Sequence, residues 1–182
     1  MSTEPASTAH LAQGHVNLIV KVTRRCNLNC EYCGERRNAG GGMPFEVVAH
    51  LTAKALGEPA LKSVNFIWHG GEPLVRGRRF YEKALRLQAL ACRDGRHVSN
   101  SVQTNGLLFD EAWADFFVEY GFDVGVSLDG PEVIHDVQRP TVRGGHSYKG
   151  AMRALELLRD RGASHGVLVV VTDRMLEYGA DR

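Results

Sequence analysis

Apolar residues fall along this chain in two alternating patterns, short continuous runs and stripes of helical period. The first run, residues 16–22 (VNLIVKV), is rich in β-branched side chains and reads as a strand buried on both faces. A polar stretch ends at Gly40-Gly41-Gly42. Pro44 then suits the first turn of a helix in which Val48, Leu51, Ala55 and Leu56 keep helical spacing to Gly57. Residues 64–68 (VNFIW) predict a second strand, and Phe80, Ala84, Leu87 and Ala91 predict a second helix with Cys92 at its end. Residues 97–103 predict a third strand. Asp110 can cap a helix with the stripe Trp113, Phe116, Phe117 and Tyr120, read as core, and Gly121 ends it. A fourth strand covers residues 124–128, and a long loop then runs to Gly145. Ser147 opens a helix carrying Ala151, Leu155 and Leu158, ended by Gly162. Residues 167–172 predict a fifth strand, and another helix begins near Arg174. Strands alternating with helices predict an α/β domain, a parallel sheet with right-handed crossovers. Residues 1–15 are polar and predict a disordered leader, not a signal peptide; residues 16–182 form the one domain.

The chemistry-bearing residues gather just past the carboxyl ends of these strands, where barrel-like α/β enzymes place their chemistry. Residues 24–33 (RRCNLNCEYC) carry Cys26, Cys30 and Cys33 as C-x3-C-x2-C. Three soft ligands in one turn suit an iron–sulfur cluster or a zinc ion. Three, with Cys92 far along the chain, leave one metal position open. The alternative is a zinc loop closed by His69 or another histidine. After the second strand comes Gly70-Gly71-Glu72-Pro73, in which glycines let the backbone approach a ligand and Glu72 adds a carboxylate. Gln103-Thr104-Asn105-Gly106 closes the third strand. Ser127-Leu128-Asp129-Gly130-Pro131 closes the fourth, followed by Ile134-His135-Asp136 and Arg139.

In this order the motifs resemble those of radical S-adenosylmethionine (radical SAM) enzymes, in the branch of anaerobic sulfatase-maturing enzymes and SPASM-type peptide maturases. The resemblance runs from about residue 17 to the end. It implies a partial (β/α)6 TIM-like barrel with about five βα units, and a [4Fe–4S] cluster on Cys26, Cys30 and Cys33. It further implies that S-adenosyl-L-methionine chelates the open iron and is reductively cleaved to a 5′-deoxyadenosyl radical, which abstracts hydrogen from a peptide or protein substrate. A one-electron reductant such as flavodoxin or ferredoxin is implied as partner. Carried over residue by residue, Tyr32 packs near the SAM adenine, and Gly70, Gly71, Glu72 and Pro73 receive the methionine amine. Thr104 and Asn105 contact SAM, Ser127 faces the ribose, and Arg139 pairs with the SAM carboxylate; the Asp129 carboxylate, at the same strand end, can hydrogen-bond the ribose as well.

Each assignment has a plainer alternative: aromatic packing for Tyr32, a strand-ending turn for Thr104 and Asn105, a brace of the Gly130-Pro131 turn for Asp129, and a surface salt bridge for Arg139. His135 reads as a structural hydrogen bond, and no residue is assigned as catalytic acid or base. Maturation of a ribosomal peptide by cross-linking is the favoured function. Formylglycine formation on a sulfatase and a non-catalytic metal-binding remnant are the rivals. Branch members usually continue into a sixth βα unit and a cysteine-rich SPASM domain, so the chain reads as an amino-terminal fragment.

Composition narrows the rest. With 182 residues, 43% hydrophobic and 24% charged, the chain can bury a real core. A net charge of +1 gives no electrostatic bias toward nucleic acid or an anionic membrane. Clustered free thiols point to a reducing compartment, the cytoplasm. No apolar run reaches the length of a membrane span.

Overall fold

A computed structural model describes residues 14–34, 40–92 and 95–179. Most of the expected leader, residues 1–13, and residues 35–39 after the cysteines lie outside these. Five strands, β1 (His15–Thr23), β2 (Ser63–Gly70), β3 (His97–Thr104), β4 (Phe122–Ser127) and β5 (His165–Leu168), form one parallel sheet in the order β1-β2-β3-β4-β5. Helices α1 (Phe45–Gly57), α2 (Arg78–Ala91), α3 (Glu111–Glu119), α4 (Glu132–Gln138) and α5 (Tyr148–Asp160) connect them, and α6 (Asp173–Tyr178) follows β5. Each strand lies beside its predecessor, so the parallel α/β winding is as the periodicity implied and the partial barrel as the resemblance implied. Among the described residues, no helix is long and apolar enough to cross a membrane.

The core lies between the sheet and its helices. Val20 pairs in register with Trp68, Trp68 with Val102 and Val102 with Val124, a buried row across four strands. Trp68 meets Phe80 and Tyr81 edge-on from α2, and α3 adds Trp113, Phe116 and Phe117, packed around Phe109 and Phe122.

The other face of the sheet overturns one expectation: β1 is not buried on both sides. Ile19 is 66% exposed, and Asn17, Asn65 and Ser101 are linked across this face by 3.2 Å side-chain hydrogen bonds. Among the described residues no helix covers that face, which in a partial barrel looks into the lumen. Tyr120 also departs from the expected core stripe. It stands just past α3 and is 43% exposed.

The long loop expected before Gly145 contains α4. Its buried positions are Ile134, His135 and Gln138, so polar residues hide the helical stripe. Asp136 on α4 accepts from the Ser147 and Tyr148 N–H groups (both 2.8 Å), capping α5 from outside. Ser147 itself donates its hydroxyl to the Arg139 carbonyl (2.5 Å) instead of capping.

Truncating Phe117, which is fully buried among four rings, to alanine should cost about 3–5 kcal/mol in urea unfolding. Tyr120→Ala should cost less than about 1 kcal/mol. Equal costs would mean that Tyr120 belongs to the core after all.

Candidate cluster and cofactor site

The cysteine loop has no regular structure of its own and is held by its neighbours. On one side, Gly71 N–H donates to Thr23 O and Glu72 N–H to Arg25 O, both at 2.8 Å. A side chain at Gly70 would bring its Cβ to 2.3 Å from Thr23 O, and one at Gly71 to 2.3 Å from Arg25 O. These glycines therefore let two backbones meet, in addition to lining the cavity described below. On the other side, Asn29 N–H donates to Pro140 O (2.7 Å), Glu31 N–H to Gln138 O (3.0 Å) and Val142 N–H to Asn27 O (3.1 Å).

The loop, the β2, β3 and β4 ends and Arg139 enclose a cavity of about 550 Å³. Cys26, Cys30, Cys33, Tyr32, Gly70, Gly71, Thr104, Asn105, Ser127 and Arg139 all line it. Glu72, Pro73 and Asp129 do not; they stand behind its wall. The motif reading names Gln103 without giving it a role, and His69 only as a zinc ligand; the Gln103 amide donates to Ser127 Oγ (3.0 Å), and both residues line the cavity. Both face the lumen at strand ends, so the two-residue alternation of β2 and β3 was the available signal.

Two buried carboxylates organise the wall, in different ways. Asp129 accepts from Arg139 Nε (2.8 Å) and Nη2 (3.1 Å), from the Tyr32 hydroxyl (2.5 Å) and from Val170 N–H (3.0 Å). Burial alone would raise its pKa, but these donors outweigh burial and hold it below the usual carboxylate range. The Arg139 side chain is only 8% exposed, so the pair is not a surface salt bridge. Its guanidinium also sits 5.4 Å from the Tyr32 ring centroid. His135 fits its structural reading, since Nδ1 accepts from Asp129 N–H at 3.1 Å.

Among the described residues, the hydrogen-bond partners of Glu72 are neutral. Leu74 N–H and the Thr104 hydroxyl donate to Oε1 (2.9 and 2.8 Å) and Asn105 N–H to Oε2 (2.8 Å). Burial dominates and pushes its pKa up to about 7.

The donor set suits a cluster. Among the described residues, no three His, Cys, Asp or Glu side chains are grouped to hold a single metal ion. All three thiols nevertheless line one cavity, a soft donor set that suits an iron–sulfur cluster. Burial raises the Cys30 thiol to about 11, with Arg139 opposing, so loading must displace protons.

A wound parallel α/β sheet with a three-cysteine loop at the carboxyl ends of its strands has the layout of an α/β enzyme core. The Radical SAM superfamily model matches residues 20–177, and the chain belongs to this enzyme superfamily, which uses a [4Fe–4S] cluster and S-adenosyl-L-methionine. The chain is 38% identical over 170 residues to a serine-type anaerobic sulfatase-maturating enzyme of Klebsiella aerogenes, covering 90% of this chain and 41% of that one. It is 37% identical over 168 residues to a cysteine-type anaerobic sulfatase-maturating enzyme of Clostridium perfringens, covering 88% and 45%. The solved structure of native anSMEcpe with bound AdoMet and Cp18Cys peptide superposes with a TM-score of 0.84 at 35% identity, over 90% of this chain and 45% of that one. The chain thus spans less than half the length of these relatives.

An acid whose folded pKa lies above its ordinary 4.5 contributes stability in full below that value and loses it as pH rises through about 7. Stability of the metal-free chain should therefore fall over that window more steeply than in Glu72→Gln, followed by urea midpoints. Parallel pH profiles would show that Glu72 is ionised throughout.

Proposed function

We propose that this chain is the cofactor-binding part of an enzyme that abstracts hydrogen from a peptide or protein side chain. The observation that carries the reading is the common cavity, where the three cysteines meet residues from the ends of β2, β3 and β4. When bound, the cluster and SAM supply a carbon radical strong enough to take hydrogen from an unactivated C–H bond. Everything else falls to the chain. Cys26, Cys30 and Cys33 would hold the cluster and leave one metal position without a protein ligand, open to SAM. The backbone at Gly70 and Gly71 borders the place for the amine. Arg139, kept charged by Asp129, offers its remaining edge to the carboxylate. Ser127 offers a hydroxyl to the ribose, and Tyr32 an aromatic face to the adenine. Glu72, Pro73, Asp129 and the Thr104 hydroxyl act from behind, by fixing these groups.

The electron must come from outside. Cys33 and the neighbouring Arg24 and Arg25 are exposed, which supports docking of an acidic one-electron carrier such as flavodoxin or ferredoxin. Thiols that must stay free for iron support a cytoplasmic location. Of the two peptide reactions expected, the relatives favour oxidation of a seryl or cysteinyl side chain to formylglycine, as in sulfatase maturation; cross-linking of a ribosomal peptide stands beside it.

The chain, reconstituted anaerobically and reduced, should release 5′-deoxyadenosine from SAM, and Cys30→Ala should not. With a seryl or cysteinyl peptide and the carboxyl-terminal portion of a relative supplied, an aldehyde-trapping reagent should label the peptide. Release of 5′-deoxyadenosine by Cys30→Ala would refute the cluster assignment. Cluster without any SAM cleavage would favour the non-catalytic remnant.

A further inference from the structure

Asn105 directly follows β3, almost buried at 7% exposure, and its side chain is turned toward the cysteine loop. Its Oδ1 accepts the Leu107 N–H at 3.0 Å, which identifies the other end of the amide as nitrogen. That Nδ2 donates to Asn27 Oδ1 at 2.8 Å and lies 3.7 Å from Cys26 Sγ, within reach of an N–H···S hydrogen bond. The Leu28 N–H approaches the same sulfur at 3.4 Å. Glu72 sets this aim from the far side. Its two oxygens take the Asn105 N–H and the Thr104 hydroxyl, and a third bond from Leu74 N–H ties Glu72 to its own loop.

We propose that Asn105 is a tuning residue of the cluster, whose side-chain amide, aimed by Glu72, donates to the Cys26 sulfur and raises the reduction potential. This rests on the reading that the loop holds an iron–sulfur cluster. The physical reason is simple. Reduction adds an electron that spreads onto the ligand sulfurs, and an N–H dipole pointed at sulfur favours the more negative state. Glu72, expected from the resemblance to meet the SAM amine directly, then acts through Asn105. It is a positioning residue.

The test is an EPR-monitored redox titration of the reconstituted chain and three variants, with iron content measured on each. Asn105→Asp keeps the oxygen that accepts from Leu107 and removes the N–H donors; Asn105→Ala removes both. Both variants should shift the midpoint to more negative potential. In Asn105→Ala the ratio of reduced to oxidised cluster at a fixed potential should fall about tenfold, or about 59 mV for one electron. Glu72→Gln should shift the midpoint in the same direction but less. In the parent chain carrying amide-labelled [15N]asparagine, pulsed EPR of the reduced cluster should show a weak nitrogen coupling that Asn105→Ala lacks.

An unchanged midpoint in a variant with full iron content would overturn the proposal, as would absence of the coupling in the parent. A parent chain that takes up no cluster would instead refute the underlying reading of the loop.

Discussion

The buried carboxylate of Asp129 is the point on which this site depends. It takes donors from the cysteine loop through Tyr32, from the end of α4 through Arg139 and from the segment after β5 through Val170, while its own N–H donates to His135. A loop with no ladder of its own cannot hold three thiols in place unless neighbouring loops do it. A buried ion pair is costly to make and costlier to break, because losing either partner leaves a charge without water. Asp129 and Arg139 therefore behave as one unit. Glu72 does the corresponding work between β2 and β3, with neutral donors in place of a cation. That difference is why one carboxylate stays acidic while the other is pushed toward neutrality.

The same contrast explains what was legible in the sequence. Runs such as VNFIW and stripes such as Trp113, Phe116 and Phe117 reported burial faithfully, because apolar side chains gain by leaving water wherever they are placed. The cysteine spacing reported ligand chemistry. Buried polar positions carried no such signal. In α4 the inward-facing residues are Ile134, His135 and Gln138, and no hydrophobic pattern marks a helix that buries an imidazole and an amide. In β1 the apolar Ile19 faces the open lumen, so a run that looked buried on both faces is buried on one.

The motif residues were found, yet the directions in which they act were not. Spacing places Glu72 and Asp129 near the cavity but says nothing about which side of its wall they occupy. Gly70 and Gly71 leave space for a ligand, and they are also the space through which two backbones hydrogen-bond. Gln103 and His69 lie in the lumen because strand residues alternate, a signal present in the sequence.

A cluster on Cys26, Cys30 and Cys33 with one position open to SAM is what the cofactor binding and radical chemistry require, and the tuning by Asn105 requires the cluster itself. It is tested most directly by the EPR spectrum of the reduced, reconstituted chain recorded before and after SAM is added. Three cysteines with an open position predict about four irons per chain and a spectrum that changes when SAM binds. Zinc in place of iron, or a four-iron spectrum that SAM leaves unmoved, would contradict it.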